Sequence, residues 1–284
     1  MRSLFKFFLL TYALTWVCFI SVVKMSHAPR PSAPATAILS GSLLLLGTFA
    51  PALMALGVTA RDEGRRGVLA LVRPTIRWHV GWRWYLFAVA YMPALKLSVA
   101  LIHRLMTGVW PRFGTDPWYL IVLAIIISTP VQAGEEIGWR GYALPRLARR
   151  FGFAQASLLL GVIWACWHLP LFFLPGADTY GQSFPVWTLQ VVAVSVAITW
   201  LYAGTEGSLL LTMLMHSAVN QTVGIVPSAN LNPGNPFTLT VSPVMRLTAM
   251  FLWITAGYFL LRMHNVKGSR GEGEINNPHG AIVT

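Results

Sequence analysis

Eight stretches of roughly twenty mostly apolar residues dominate this chain, and that is the length a helix needs to cross a bilayer. They are Leu4–Val23, Ala35–Val58, Trp84–Met106, a segment beginning at Trp118, Ala154–Leu174, Val186–Ala203, Ser208–Val226 and Val244–Leu261. Inside hydrocarbon every backbone N–H and C=O must find its partner within the protein, so runs of this kind are read as helices. The fold expected is therefore all-α, a polytopic membrane helix bundle of about eight transmembrane helices. Composition agrees. Of 284 residues 55% are hydrophobic and 11% charged, less than half of the roughly 25% charged residues of an ordinary soluble domain. So little charge cannot cover a soluble surface, and so apolar a chain is not a disordered one. Cys18 and Cys166, the two cysteines, fall in apolar runs and read as buried thiols, not as a disulfide framework.

The net charge is +12, but Lys and Arg fall between the apolar runs and form no basic-aromatic stripe, so no nucleic-acid partner is expected. The lipid bilayer is the expected partner of these charges. Alternating the spans from a cytoplasmic N-terminus puts fifteen of the 21 basic residues inside: Arg2, Lys6, Arg61, Arg65, Arg66, Arg73, Arg77, Arg83, Arg140, Arg146, Arg149, Arg150, Arg262, Lys267 and Arg270. Lys24, Arg30, Arg104, Arg112 and Arg246 go outside. This asymmetry predicts a multi-pass protein of a prokaryotic plasma membrane with both termini cytoplasmic. The first segment has the outline of a signal peptide, but its length and the lack of a clean small-x-small cleavage site favour a retained helix. Trp82, Trp84, Trp110, Trp118 and Trp187 read as interfacial belts, and Lys96, inside the third span, as a buried or snorkelling charge.

Ionisable groups within spans are costly, which makes each a candidate for function. Asp62, Asp116 and Asp178 all lie in loops, so there is no membrane aspartate pair, and neither a His-Glu-x-x-His pattern nor a Gly-x-Ser-x-Gly motif occurs. What remains is Glu135, Glu136 and Arg140 at the end of span four, His168 in span five, and His216 with Asn220 in span seven. Residues four apart share a helix face, so Glu136 can pair with Arg140 while Glu135, rotated by about 100°, points elsewhere and is left free. The same interval lets Trp164 pack against His168 and sets His216 and Asn220 side by side. A carboxylate, two imidazoles and a carboxamide form a hydrolytic inventory. Glu135, His168 and His216 could hold Zn2+ with a position open for water. Alternatively Glu135 and His168 could activate the water while His216 and Asn220 donate to the oxyanion. The residues leave both routes open. Structural roles are the plain alternative, since a Glu–Arg pair often only braces a helix end and a membrane His often only bonds a neighbouring helix.

Taken together, Glu135-Glu136-x-x-x-Arg140, an aromatic-x-x-x-His ending at His168, and His216-x-x-x-Asn220 resemble the three-motif signature of the CAAX protease and bacteriocin-processing family, also called CPBP or Abi. Its members include the type II CAAX prenyl endopeptidases. Trp139-Arg140-Gly141-Tyr142 with Pro145 resembles the family's continuation of the first motif. Trp164 departs from its pattern, which commonly has Phe there. The resemblance implies that Glu135 is the general base or a metal ligand, that His168 is its partner on the water or metal, and that His216 with Asn220 is the remaining ligand or the oxyanion site. Glu136 and Arg140 support them.

The expected organisation is N-terminal transmembrane helices over 1–117, a catalytic bundle over 118–226, a C-terminal loop and last span over 227–265 and a mobile cytoplasmic tail over 266–284. The expected activity is that of an intramembrane metalloprotease-like endopeptidase. It would act through Glu/His-activated, metal-bound or metal-free water on a membrane-associated peptide or protein, prenylated CAAX-type or other. Two rivals are a non-catalytic immunity or scaffold protein and a proton-coupled transporter. One geometric requirement follows: His168 lies about 21 Å along its span, so span four must continue to about Leu144 for Glu135 to reach that depth.

Overall fold

A computed structural model describes residues 2–27, 34–226 and 235–274, with side chains through Met263. All eight apolar segments are helical, and among the described residues there is no strand. The first three are α1 (Arg2–Ser26), α2 (Pro34–Val72) and α3 (Trp82–Thr107). A continuous helical run of 56 residues, Trp118–Phe173, then contains both the fourth and the fifth segment. It consists of α4 (Trp118–Ser128), a 3-10 turn (Thr129–Gln132), the one-turn α5 (Ala133–Glu136), a π-helical stretch (Ile137–Ala143), α6 (Leu144–Trp167) and a closing 3-10 turn (Leu169–Phe173). The last three helices are α7 (Phe184–Gly204), α8 (Leu209–Thr222) and α9 (Pro243–Glu274). Six helical segments are long and apolar enough to cross a bilayer, while the seventh apolar segment, Leu209–Ile225, is shorter.

Glycine makes the two sharp bends. Gly152, at φ 76° and ψ 163°, reverses the long run between its two spans, and Gly64, at φ 65° and ψ −161°, breaks α2 beyond its membrane portion. Both lie in the left-handed half of φ space, where a Cβ is disfavoured. The fourth span therefore reaches Phe151, beyond the Leu144 that the depth argument required.

Contacts between distant segments order the ends of the bundle. At one end Glu63 pairs with Arg146 at 2.7 Å, Arg77 donates to the carbonyl of Glu206, and Ser208 caps α8 while donating to the carbonyl of Arg77 at 2.7 Å. At the other end Gly114 bonds Ile225 at 3.1 Å, and Ser183 bonds Thr238 at 2.6 Å. The basic loops after α2 and within α6 thus gather at one end, as the alternation of spans requires. Arg140 is the exception: it is fully buried, and its place among the loop charges is corrected to the bundle interior. Arg30 lies outside the described residues. α9 runs on to Glu274, into the stretch read as a tail, and residues 275–284 also lie outside.

The first segment packs as a wall of the bundle. Phe7 and Phe19 are buried, Thr15 donates to the Gly47 carbonyl and accepts from the Trp167 indole, both at 2.8 Å, and Trp16 donates to the Trp167 carbonyl at 3.1 Å. These bonds fix the end of α6, one residue before His168.

Candidate active site

The site begins with a close helix crossing. A Cβ at Gly138 would lie 2.6 Å from the Pro51 carbonyl oxygen, so only glycine lets the π-helical stretch press against α2. That contact seats Glu135 and Glu136 on the inward side, 6% and 0% exposed. Glu136 accepts from Arg140 at 2.9 Å and, through the same oxygen, from His216 Nδ1 at 2.9 Å. The sequence foresaw the first bond but not the second, which joins residues 80 positions apart. Because a carboxylate only accepts, Nδ1 of His216 carries the proton in this pair, and Nε2 is the nitrogen left to work.

Glu135 is less free than its spacing suggested. The Trp164 indole donates to its Oε2 at 2.7 Å, a bond that the Phe common in the family pattern could not make. The same indole lies under the Arg140 guanidinium, 4.2 Å from its ring centre, and stands edge-on to His216 and His168 at 5.1 and 5.7 Å. Trp164 thus packs against the imidazole as expected and also touches Glu135 and Arg140. His168 Nδ1 lies 2.8 Å from the Trp164 carbonyl. A carbonyl cannot donate, so Nδ1 carries the hydrogen and Nε2 is presented as an acceptor.

Glu135, His168, His216 and Asn220, from three separate helical segments, line one cavity of about 400 Å³. Arg140 and Glu136 do not line it and sit one layer behind. Lys96, Trp187 and Gln190 are among the further lining residues that the sequence reading did not place at the site. Lys96 is 1% exposed and in the cavity wall, so it is buried and does not snorkel. Trp187, read as part of an interfacial belt, stands 5.1 Å from the His168 ring and also lines the cavity; Trp82, Trp110 and Trp118 are exposed, and Trp84 packs on Trp200 at 6.1 Å. Gln190 supplies a further carboxamide. From Glu135 the lining continues to the exposed residues Asp178, Asn220 and Val223, and none of the described basic-loop residues contributes to it. The cavity therefore reaches the surface at the end away from the basic loops.

Among the described residues no three His, Cys, Asp or Glu side chains come together in a way that could hold a metal ion. Each imidazole spends only Nδ1 on a carbonyl or carboxylate and keeps Nε2, as a metal-ligating histidine does, while Glu135 Oε2 is held by an indole.

The helix bundle thus sets a carboxylate, two imidazoles and a carboxamide around one interior cavity, the groups that water activation and oxyanion binding call for. Residues 115–222 match the family described as "Type II CAAX prenyl endopeptidase Rce1-like", so the resemblance carried by the three motifs holds over that stretch. Over 116 residues the chain is also 31% identical to the CAAX prenyl protease 2 of Methanococcus maripaludis, covering 38% of this chain. The chain spans 41% of the length of that curated relative.

Proposed function

We propose that this protein is an intramembrane endopeptidase of the CAAX-protease type, cutting a membrane-associated, lipid-anchored peptide with water activated by Glu135. The observation that carries the reading is the meeting of Glu135, His168, His216 and Asn220 in one cavity, with Glu136 and Arg140 bracing them from behind. A water between Glu135 and His168 Nε2 meets two acceptors, one for each of its hydrogens, which aims its lone pair at a substrate carbonyl. As the C–O bond forms, the proton passes to Glu135. The Asn220 amide, with the His216 ring beside it, faces the developing oxyanion. Collapse breaks the C–N bond, and Glu135 returns the proton to the leaving amine. Glu136 holds the His216 ring by Nδ1 and is itself held by Arg140.

The basic loops are proposed to face the cytoplasm of a prokaryotic plasma membrane, with both termini on that side. The open end of the cavity then faces away from the cytoplasm, which favours a lipid-anchored peptide presented from that face. The prenylated CAAX-type peptide is the substrate class suggested by the relative's name.

Cleavage of lipid-anchored peptides by the purified chain in nanodiscs tests the reading, with elemental analysis run in parallel. Glu135→Gln is expected to lose at least about a hundredfold in turnover, the scale of general-base catalysis, with folding intact. Turnover by the wild type should survive chelation. A wild type that cuts nothing, or a Glu135→Gln variant as fast as wild type, removes the assignment.

A further inference from the structure

The end of the bundle opposite the cavity mouth carries a feature that the hydrolytic chemistry does not use. Between α2 and α3 the chain forms the 3-10 turn Arg73–Ile76 and a short irregular stretch before α3 begins at Trp82. Arg73, Ile76, Arg77, Trp78 and His79 line a hollow of about 350 Å³ there, and all five side chains are exposed. Ile76 is 73% exposed and Trp78 60%. Large apolar side chains held open beside guanidinia suit neither a core nor bulk water. They suit the headgroup layer of a bilayer, where amphipathic rings gather. The position agrees, because α3 is itself long and apolar enough to cross a bilayer and starts just beyond the turn.

The backbone of this connector is fixed from several sides. Ser208 donates to the Arg77 carbonyl, the Tyr85 hydroxyl to the Trp78 carbonyl and Thr75 to the Val72 carbonyl, each at 2.7 Å. Arg77 Nη1 donates to the Glu206 carbonyl. Glu206 has φ 51°, and among the described residues it is the one non-glycine with positive φ. An L residue is held in that region only where the surrounding structure imposes it, so the turn that offers its carbonyl to Arg77 is a fixed one. Side chains presented from a fixed backbone have less freedom to lose when a ligand binds.

We propose that this hollow binds the headgroup of an anionic phospholipid, with the phosphate between Arg73 and Arg77 and the acyl chains against Ile76 and Trp78. A guanidinium presents a planar fork of N–H donors that matches phosphate oxygens two at a time. Among the described residues no Asp or Glu lines the hollow, so an anion meets two guanidinia without a competing charge in the wall. A zwitterionic headgroup brings its own cation against them, and an anionic one does not. Each arginine near an anionic surface is worth about fivefold in affinity, so the pair supplies about 25-fold. The assignment is independent of the peptidase reading, since it concerns a lipid held at the far end of the bundle from the cavity mouth.

Native mass spectrometry of the full chain released from detergent micelles tests the site, with phosphatidylglycerol and phosphatidylcholine of the same acyl chains titrated separately. Phosphatidylglycerol is expected to bind at least about tenfold more tightly. Joint Arg73→Gln and Arg77→Gln substitution should bring the ratio of the two affinities to about one. Joint Arg149→Gln and Arg150→Gln substitution removes the same charge from exposed positions at the same end and should leave the ratio unchanged. If losing the bond to Glu206 unfolds the first variant, Arg73→Gln alone keeps that bond and should cost about fivefold in phosphatidylglycerol affinity. Equal binding of the two lipids by the wild type, or a preference that survives loss of Arg73 and Arg77, overturns the proposal. An equal loss in the Arg149 and Arg150 variant overturns it as well, because the attraction would then be diffuse. Glycerol 3-phosphate should not displace the bound lipid, and displacement at matched concentration would make this a site for a soluble phosphate instead.

Discussion

Replacing Glu136 with Gln separates bracing from chemistry in the acid pair. Glu136 and Arg140 are both fully buried, and one carboxylate oxygen accepts from Arg140 and from His216 at 2.9 Å each. The amide keeps the shape and removes the charge. Arg140 cannot lose its proton, so it is left as a buried cation whose nearest compensation is gone. Breaking a buried pair in this way costs about 3–5 kcal/mol. For a chain of this size each kcal/mol moves Tm by about 2–4 °C, so a drop of roughly 6–20 °C is expected. His216 loses its anchor at the same time, so turnover should fall with stability. Thermal unfolding in detergent, followed beside the turnover assay, reads both quantities. Glu135→Gln is the control: its amide oxygen can still accept from Trp164, so Tm should hold while turnover collapses. A Glu136→Gln protein that melts with the wild type would mean that Arg140 does not depend on this carboxylate, and the layer behind the cavity would need another explanation.

Trp164→Phe removes one charge-assisted hydrogen bond to Glu135 and leaves an aromatic ring in place. At about 1.5–3 kcal/mol for such a bond, kcat should fall roughly ten- to a hundredfold with KM little changed, and an unaltered kcat would show that the indole N–H does not position the base. For orientation, a reporter fused after Arg270 should read cytoplasmic, and one placed in the loop 176–183 should read external; the opposite result puts the mouth of the cavity in the cytoplasm.

Hydrophobic run length made the helices legible, and the spacing of four made Glu136–Arg140 and the alignment of His216 with Asn220 legible, because both are properties of one helix. What joins different helices could not be read in this way. The Glu136–His216 and Trp164–Glu135 bonds link positions 80 and 29 apart, and no local periodicity encodes such a pairing. Trp187 was misjudged, and the choice between a buried and a snorkelling Lys96 was left open, for the same reason. A lysine in a span can reach toward the interface or turn inward, and a tryptophan near a span end can sit at the headgroups or against an imidazole. The neighbouring helix decides, and here α8 and the end of α6 decide in favour of the cavity. Arg140, legible as the partner of Glu136, was nonetheless counted among the loop charges, since a count of basic residues cannot tell a loop arginine from one paired in the interior.

The stretch Ile137–Ala143 is a π-helix, and its hydrogen bonds each enclose one residue more than those of an α-helix. It works as a phase adjuster within a continuous rod: the acid pair lies before it and the turn at Gly152 after it, so their angular relation depends on how many residues it holds. Losing one residue there lets the backbone settle into ordinary α pairing with little change of phase, whereas one residue more than the wide turns absorb would swing everything upstream by about 100° relative to everything downstream. The two glutamates would then leave the side that meets α8. This short segment should therefore tolerate changes of side chain far better than the gain of a residue, even one that touches nothing in the cavity.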